Sequence, residues 1–358
     1  MKIAIGYDLK PNSWGGGNQF ALSLAKAAKI RGDEITYNLK DKDIDIILLT
    51  DPRSFNEGIT FGPFEILKYI LFNKQTIVVH RINECDERKN TFHMNKLLKY
   101  ANYCCDHTVF ISNWLKSLDI YQKNIPSTVI YNGSDEKIYS SKTNLPWNKK
   151  EPLKLVTHHW SPNKMKGFDV YSKLDQLIND TDLGNKIEFT YIGNLPKGFT
   201  FKKTRHIAPL SGIYLGKELS KNHVYLSASK NEPAGMHHIE GALSGLPIIY
   251  RKSGALPEYC RDFGIPFDNL EFISAINMMI LDYDKYKIKL KSYPFNASKM
   301  TNAYLNLFDD LISSRENILK KRNLFRSPIY LIMNLFLTFL YIKKPIRNFK
   351  RFIRKFIK

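Results

Sequence analysis

The sequence predicts an α/β protein of two doubly wound domains facing each other across a cleft, followed by a basic, apolar C-terminal segment. Short β-branched apolar runs alternate with amphipathic helical patterns in one series before residue 140 and in a second from residue 154. A polar stretch, 140–152, carries Pro146 and Pro152 without a clear period and separates the two series as a linker. At 358 residues, 43% apolar and 25% charged, the chain is long enough for each half to bury its own core.

In the first series the runs 3–7, 34–37, 44–49, 76–79, 108–111 and 128–131 are short, β-branched and bounded by turn residues, as strands are. Between the first two, Asn18 is placed to cap a helix whose Phe20, Leu24, Ala27 and Ala28 share one face, with Gly32 placed to end it. A second helix is expected over about 91–103. In the second series, 154–157, 186–192, 204–207, 223–227 and 247–250 predict strands with helices between them. Strands apolar on both faces with intervening helices predict parallel sheets covered on both sides. Met300, Ala303, Tyr304, Leu307, Phe308 and Leu311 follow 3/4 spacing, so a helix over about 296–314 closes the folded body. The expected division is therefore 1–145, 146–316 and a tail, 317–358.

The formal net charge of +20 is concentrated in that tail. Residues 317–358 hold twelve Lys and Arg and no acid, which leaves +8 for residues 1–316. Within it, 328–342 is almost wholly apolar but shorter than a bilayer-spanning helix. After Pro345, six bulky apolar residues from Ile346 to Ile357 alternate at helical spacing with Arg347, Lys350, Arg351, Arg354, Lys355 and Lys358. A basic amphipathic stretch of this kind suits an anionic membrane surface better than a nucleic acid, so nucleic-acid binding is not expected. Residues 1–8 show neither a basic nor an apolar leader region, so the body is expected in the cytoplasm, peripheral on the inner face of the membrane.

Cys85, Cys104, Cys105 and Cys260 have no CxxC spacing and no companion histidines at zinc-ligand spacing, which predicts free thiols and no metal. Gly15, Gly16 and Gly17 lack the GxGxxG spacing of a dinucleotide site. The densest chemistry lies between Ser227 and Glu258. A strand there ends in a turn with Asn231, Glu232 and Pro233, and a small-residue helix begins near Gly235 and carries Glu240. Its N-terminus offers free N–H groups and the positive end of a dipole to a phosphate, and the carboxylates are acceptors suited to hydroxyls.

Glu232 and Glu240 have seven residues between them, and the run 231–258 resembles the Glu-x7-Glu signature of glycosyltransferase family 4. Three further elements resemble that family in the same order. They are Gly15-Gly16-Gly17 after the first strand, Tyr131-Asn132-Gly133 at the end of the first domain, and Lys166-Gly167-Phe168-Asp169 after the second domain's first strand. The resemblance implies a GT-B fold of two Rossmann-like domains, with the acceptor mainly in the first and a nucleotide-diphosphate sugar in the second. It implies a retaining transfer that needs no metal or other cofactor. Lys166 would neutralise the departing diphosphate, Glu232 would hold hydroxyls of the donor sugar, and Glu240 the ribose. Gly16, Gly17, Lys164, Gly235, Met236 and His237 are expected around the donor. His80, Arg81 and Asn83 are expected on the acceptor or sugar side. The family's arginine a few residues before the lysine has no counterpart in 158–166, where Lys164 or a histidine is the expected substitute. A non-catalytic sugar-nucleotide-binding scaffold at a membrane, and an epimerase or phosphorylase on the same paired domains, are the competing expectations.

Overall fold

The computed structural model describes residues 1–10, 15–54 and 56–336. Two six-stranded sheets form the frame. The first contains β1 (Lys2–Ile5), β2 (Glu34–Thr36), β3 (Ile46–Leu49), β4 (Ile77–Ile82), β5 (His107–Phe110) and β6 (Ser127–Val129). The second contains β7 (Leu153–His159), β8 (Ile187–Gly193), β9 (Arg205–Ile207), β10 (Val224–Ser227), β11 (Ile248–Arg251) and β12 (Gly264–Phe267). Strand orders are β2-β1-β3-β4-β5-β6 and β12-β11-β10-β7-β8-β9, parallel at every pairing. Strands such as Ile46-Ile47-Leu48-Leu49 are apolar on both faces because helices cover both faces. Every strand expected from sequence lies within a few residues of an observed one, and β12 adds one that the Pro266-bearing run did not announce.

Helices α1 (Gly16–Arg31), α2 (Pro63–Phe72), α3 (Met94–Ala101) and α4 (Asn113–Ser117) belong to the first sheet. Helices α5 (Phe168–Asp180), α6 (Gly212–Leu219), α7 (Met236–Leu243), α8 (Leu256–Cys260) and α9 (Phe272–Lys289) belong to the second. Gly32 ends α1 in the left-handed conformation, φ 96°, as its position predicts. Asn18 does not cap that helix: Gly15 does, three residues earlier, and Asn18 is buried inside the first turn. Its side chain accepts from Lys10 N at 3.0 Å and donates to Lys10 O at 3.0 Å, tying Lys10 to the helix.

The closing helix α10 (Ala297–Ser313) leaves the second domain and packs on the first. Met300, Tyr304, Leu305 and Phe308 join Ile3, Ile5, Phe20 and Leu24 in one core, with the Phe20 and Tyr304 rings 5.0 Å apart. The chain then stays on that domain through α11 (Arg315–Lys321) and the helical residues 328–336. Arg322 pairs with buried Asp106 at 2.5 Å, Asn334 donates to Tyr100 O at 2.8 Å, and Tyr330 stacks on Tyr103. Of the expected tail, the described part is thus folded onto the first domain, and residues 337–358 lie outside the described residues. Among the described residues no helix is long and apolar enough to cross a membrane.

The domains meet through buried groups. Ser112 Oγ donates to Pro233 O at 2.8 Å, and Tyr259 Oη to Ile111 O at 2.7 Å. Glu258 accepts from Asn113 N at 2.8 Å and Trp114 N at 2.6 Å, so a carboxylate of one domain caps a helix of the other. A continuous cluster of buried side chains runs from Ile82 and Phe110 to Tyr225 and Ile239.

Candidate active site

Each sheet reverses its strand order once, between β1 and β3 in the first and between β7 and β10 in the second. Ligands of open parallel sheets bind outside the carboxyl ends of the strands at such points. Both reversals open into the same cleft, whose lining includes Gly15–Gly17, Arg81, Asn83 and Arg88 from the first domain. Lys166, Glu232, Gly235, Met236, His237 and Glu240 line it from the second.

The glycine loop lies against the start of α7. A Cβ on Gly16 would meet Met236 Cγ at 2.7 Å, so only a residue without one permits this approach. On the other wall β7 ends at His159, and a 3₁₀ turn (Lys164–Lys166) brings Lys166 back over the cleft. Gly167 then turns the chain at φ 101°, where a Cβ would strike Ala228 at 2.5 Å. In this position Lys166 Nζ donates to Glu232 Oε2. Glu232 is 2% exposed. Burial alone would raise its carboxyl, but the Lys166 ammonium and the Arg88 guanidinium outweigh it and hold it at about 2.

Glu240, on α7, is buried as well. Its Oε2 is 2.6 Å from His158 Nε2 and its Oε1 3.4 Å from Ser134 Oγ. Burial keeps three histidines near it, His159, His237 and His238, neutral. Burial pushes His159 and His237 well below the usual imidazole range and His238 to about 3. Two of them are bound within the wall, His159 to Tyr171 Oη at 2.9 Å and His237 to Ser227 Oγ at 3.0 Å. Among the described residues no three His, Cys, Asp or Glu are grouped to hold a metal, and the four cysteines are free and buried.

Two of the expected residues stand apart. Lys164 is exposed and does not line the cleft. His80 is buried behind the first sheet, with Nδ1 2.7 Å from Asn102 Oδ1. The sequence expectation ended the strand at Val79, but β4 runs on to Ile82, and successive side chains of a strand leave on opposite faces. Arg81 therefore faces the cleft while His80 does not. Its Nη2 donates to Asn132 Oδ1 at 2.9 Å, and Asn132 Nδ2 donates across the cleft to Ala234 O at 2.9 Å. The Arg81 guanidinium also lies over the Phe20 ring, 3.9 Å from its centroid. Arg88, Tyr139 and Trp160 line the cleft without having been singled out as site residues, and so do His158 and His159, the histidines of the stretch that lacks the arginine.

In sequence, no family model and no curated protein matches the chain. In structure, matches are extensive. Sucrose-phosphate synthase from Thermosynechococcus elongatus superimposes with a TM-score of 0.61 at 14% identity, over 87% of this chain and 99% of that one. Anabaena HepE in complex with UDP gives 0.63 at 12% identity, over 87% and 100%. The catalytic domain of Arabidopsis thaliana starch synthase IV bound to ADP and acarbose gives 0.62 at 12%, over 87% and 99%.

The fold is GT-B.

Within that fold, the cleft described here lies between the two Rossmann-like sheets. Its lining brings Lys166, Glu232 and Glu240 of the second domain opposite the glycine loop and Arg81 of the first. Helix α10 follows the second sheet in the chain but lies on the first domain from its first residue, Ala297 N donating to Ser134 O at 2.8 Å, and so ties the two halves.

Proposed function

We propose that this protein is a retaining, metal-independent glycosyltransferase that moves a sugar from a nucleotide-diphosphate donor to a saccharide or lipid-linked acceptor. The observation that carries the reading is the placing of Lys166, Glu232 and Glu240 on one wall of a GT-B cleft, at the strand reversal of the second sheet. Complexes of the matched folds with UDP and with ADP support a nucleotide at this wall.

In this reading Glu240 accepts the ribose hydroxyls, and the free N–H groups at the start of α7 face the phosphates. Lys166 stabilises the charge that grows on the leaving diphosphate, an electrostatic role that matters most where water is excluded. Glu232, released from Lys166 by the diphosphate, accepts from hydroxyls of the donor sugar. The acceptor hydroxyl attacks the anomeric carbon on the face the diphosphate leaves, and its proton passes to the leaving phosphate oxygen. Arg81 and Asn83 are assigned to the acceptor side.

The body would work at the cytoplasmic face of a membrane. Support comes from the charge of 317–358 and from Phe325, Ile329, Ile332 and Phe336, exposed on the outer side of the segment packed on the first domain.

The test is a thermal-shift screen of nucleoside diphosphates and their sugars in the presence of a chelator. Saturation to about a hundred times Kd should stabilise the fold by about 3 kcal/mol. Stabilisation by one base family, persisting in chelator, supports the reading. No shift from any nucleotide overturns the donor site, and turnover by the purified protein separates the transferase from a non-catalytic sugar-nucleotide-binding scaffold.

A further inference from the structure

The first domain places a guanidinium over the donor wall. The chain leaves β4, passes Asn83 and makes a turn, 86–90, whose shape is set by Asp86. The Asp86 carboxylate accepts from Thr91 Oγ1 at 2.5 Å, Met94 N at 2.8 Å and Asn95 N at 3.0 Å, binding the turn to the start of α3. Across the cleft Asn231 Nδ2 donates to Glu87 O at 3.1 Å, so the turn also touches the residue before Glu232. Arg88 projects from it. Its Nη1 donates to Glu84 Oε2 at 3.3 Å, and its Nε lies 3.9 Å from Glu232 Oε1.

Glu232 therefore engages two cations from two domains, Lys166 on one carboxylate oxygen and Arg88 beside the other. The spacing of two cations around one carboxylate is close to what two oxygens of one phosphate require, and a guanidinium is the side chain best matched to that geometry. Both cations line the main cleft and a small side pocket that Lys230 and Asn163 complete. The stretch of the second domain from His158 to Lys166 holds no arginine, and Lys164 faces solvent. Glu84 is the buried counter-charge of the turn: burial would raise its carboxyl, but Arg88 and Lys89 outweigh this and hold it low.

We propose that Arg88 is a diphosphate-binding residue supplied from the opposite domain, and that the diphosphate replaces the Glu232 carboxylate as the shared partner of Arg88 and Lys166. The inference rests on the donor-site reading above. It makes the donor's phosphates a bridge between the two domains, so nucleotide binding and the seating of the 86–90 turn are one event. It also frees Glu232 to turn towards the donor sugar.

The experiment is calorimetric titration of the full chain with UDP and UMP, and in parallel ADP with AMP and GDP with GMP. Wild type is compared with Arg88→Ala, Arg88→Lys and Lys166→Ala. Loss of a hydrogen-bonded charge should raise the diphosphate Kd of Arg88→Ala by about ten- to a hundredfold. The matching monophosphate should change by much less, and Arg88→Lys should recover part of the loss. A role confined to holding the turn would move both nucleotides together. If Lys166→Ala loses the preference for diphosphate while Arg88→Ala and Arg88→Lys keep the wild-type ratio, the inference is overturned and the donor site stands. If wild type binds none of the nucleotides, the donor-site reading fails and the inference falls with it.

Discussion

His158 and Glu240 face each other inside the cleft, Nε2 to Oε2 at 2.6 Å, although 82 residues separate them in the chain. A carboxylate can only accept, so Nε2 carries the proton. On the other side of the ring, Nδ1 stands 3.1 Å from the Tyr225 hydroxyl. Tyr225 in turn accepts from His158 N at 3.0 Å, which closes a small ring of polar groups behind Glu240. Glu240 is thus held at Oε2 by His158 and more loosely at Oε1 by Ser134 Oγ at 3.4 Å, with lone pairs left for a ligand.

From this arrangement, Glu240→Ala should raise the Kd for the nucleotide by about ten- to a hundredfold, the worth of hydrogen bonds to a charged group. His158→Ala should weaken binding less, because it removes only the group that aims the carboxylate. Titration calorimetry and circular dichroism together check both. Unchanged nucleotide affinity in folded Glu240→Ala would sink the ribose assignment.

Lys166→Ala should lower turnover more than it weakens donor binding. Removing one group that stabilises charge in a transition state costs about two to three orders of magnitude in rate. The substitution also leaves Glu232 buried with Arg88 as its nearest cation, so melting temperature should fall too. A double variant, Lys166→Ala with Glu232→Gln, should regain stability without regaining turnover. Recovery of both would make the pair structural.

How far the site was legible follows from where each residue sits. Glu232 and Glu240 share one turn and one helix, so their spacing carries their geometry. The glycines, Lys166 and Asn132 follow strand ends that a β-branched run announces. Arg88 had no such signal: it lies among Glu84, Asp86, Glu87 and Lys89, a run that looks like a solvated turn. Only the facing of two domains shows that one of those charges reaches the cleft. The placing of His80 failed for a local reason, three residues of extra strand, and that of α10 for a global one. The spacing of α10 defines an apolar face but not the domain that covers it.

Acidification should destabilise the fold before its carboxylates titrate. Burial lowers His80 to about 4, His107 to about 4 and His238 to about 3. Below pH of about 6.5 the unfolded chain takes up protons that the folded chain does not, so stability is lost as pH falls from there towards the folded values. Each group can account for up to roughly 3 kcal/mol by pH 4. Glu232 acts lower down: its stabilisation is complete above the ordinary carboxyl range and is lost as pH falls towards about 2. Melting temperature against pH checks the order of events. His107→Gln, which can keep a bond to Thr128 Oγ1, should flatten the first part of the curve. A wild-type curve level from pH 7 to 5 would show that these imidazoles titrate normally.

The C-terminal segment should separate into a folded part and a membrane-binding part at about residue 336. Arg315 pairs with Asp45 at 2.6 Å and Arg322 with Asp106 at 2.5 Å, both charges of the latter pair being buried. A chain ending after Ser314 strips Asp106 of its partner, and an unpaired buried charge costs about 3–5 kcal/mol. A chain ending after Phe336 keeps these bonds and loses the eight Lys and Arg between 343 and 358. Attraction of about 1 kcal/mol per basic residue near an anionic surface makes that loss decisive for binding. The shorter truncation should therefore melt like the full chain yet leave vesicles of anionic phospholipid, while the longer one should melt early. Full-chain binding should itself weaken as salt is raised, because surface attraction is screened within a Debye length. Vesicle binding retained by the chain ending at Phe336 would place the contact on Phe325, Ile329 and Ile332 and remove the basic residues from it.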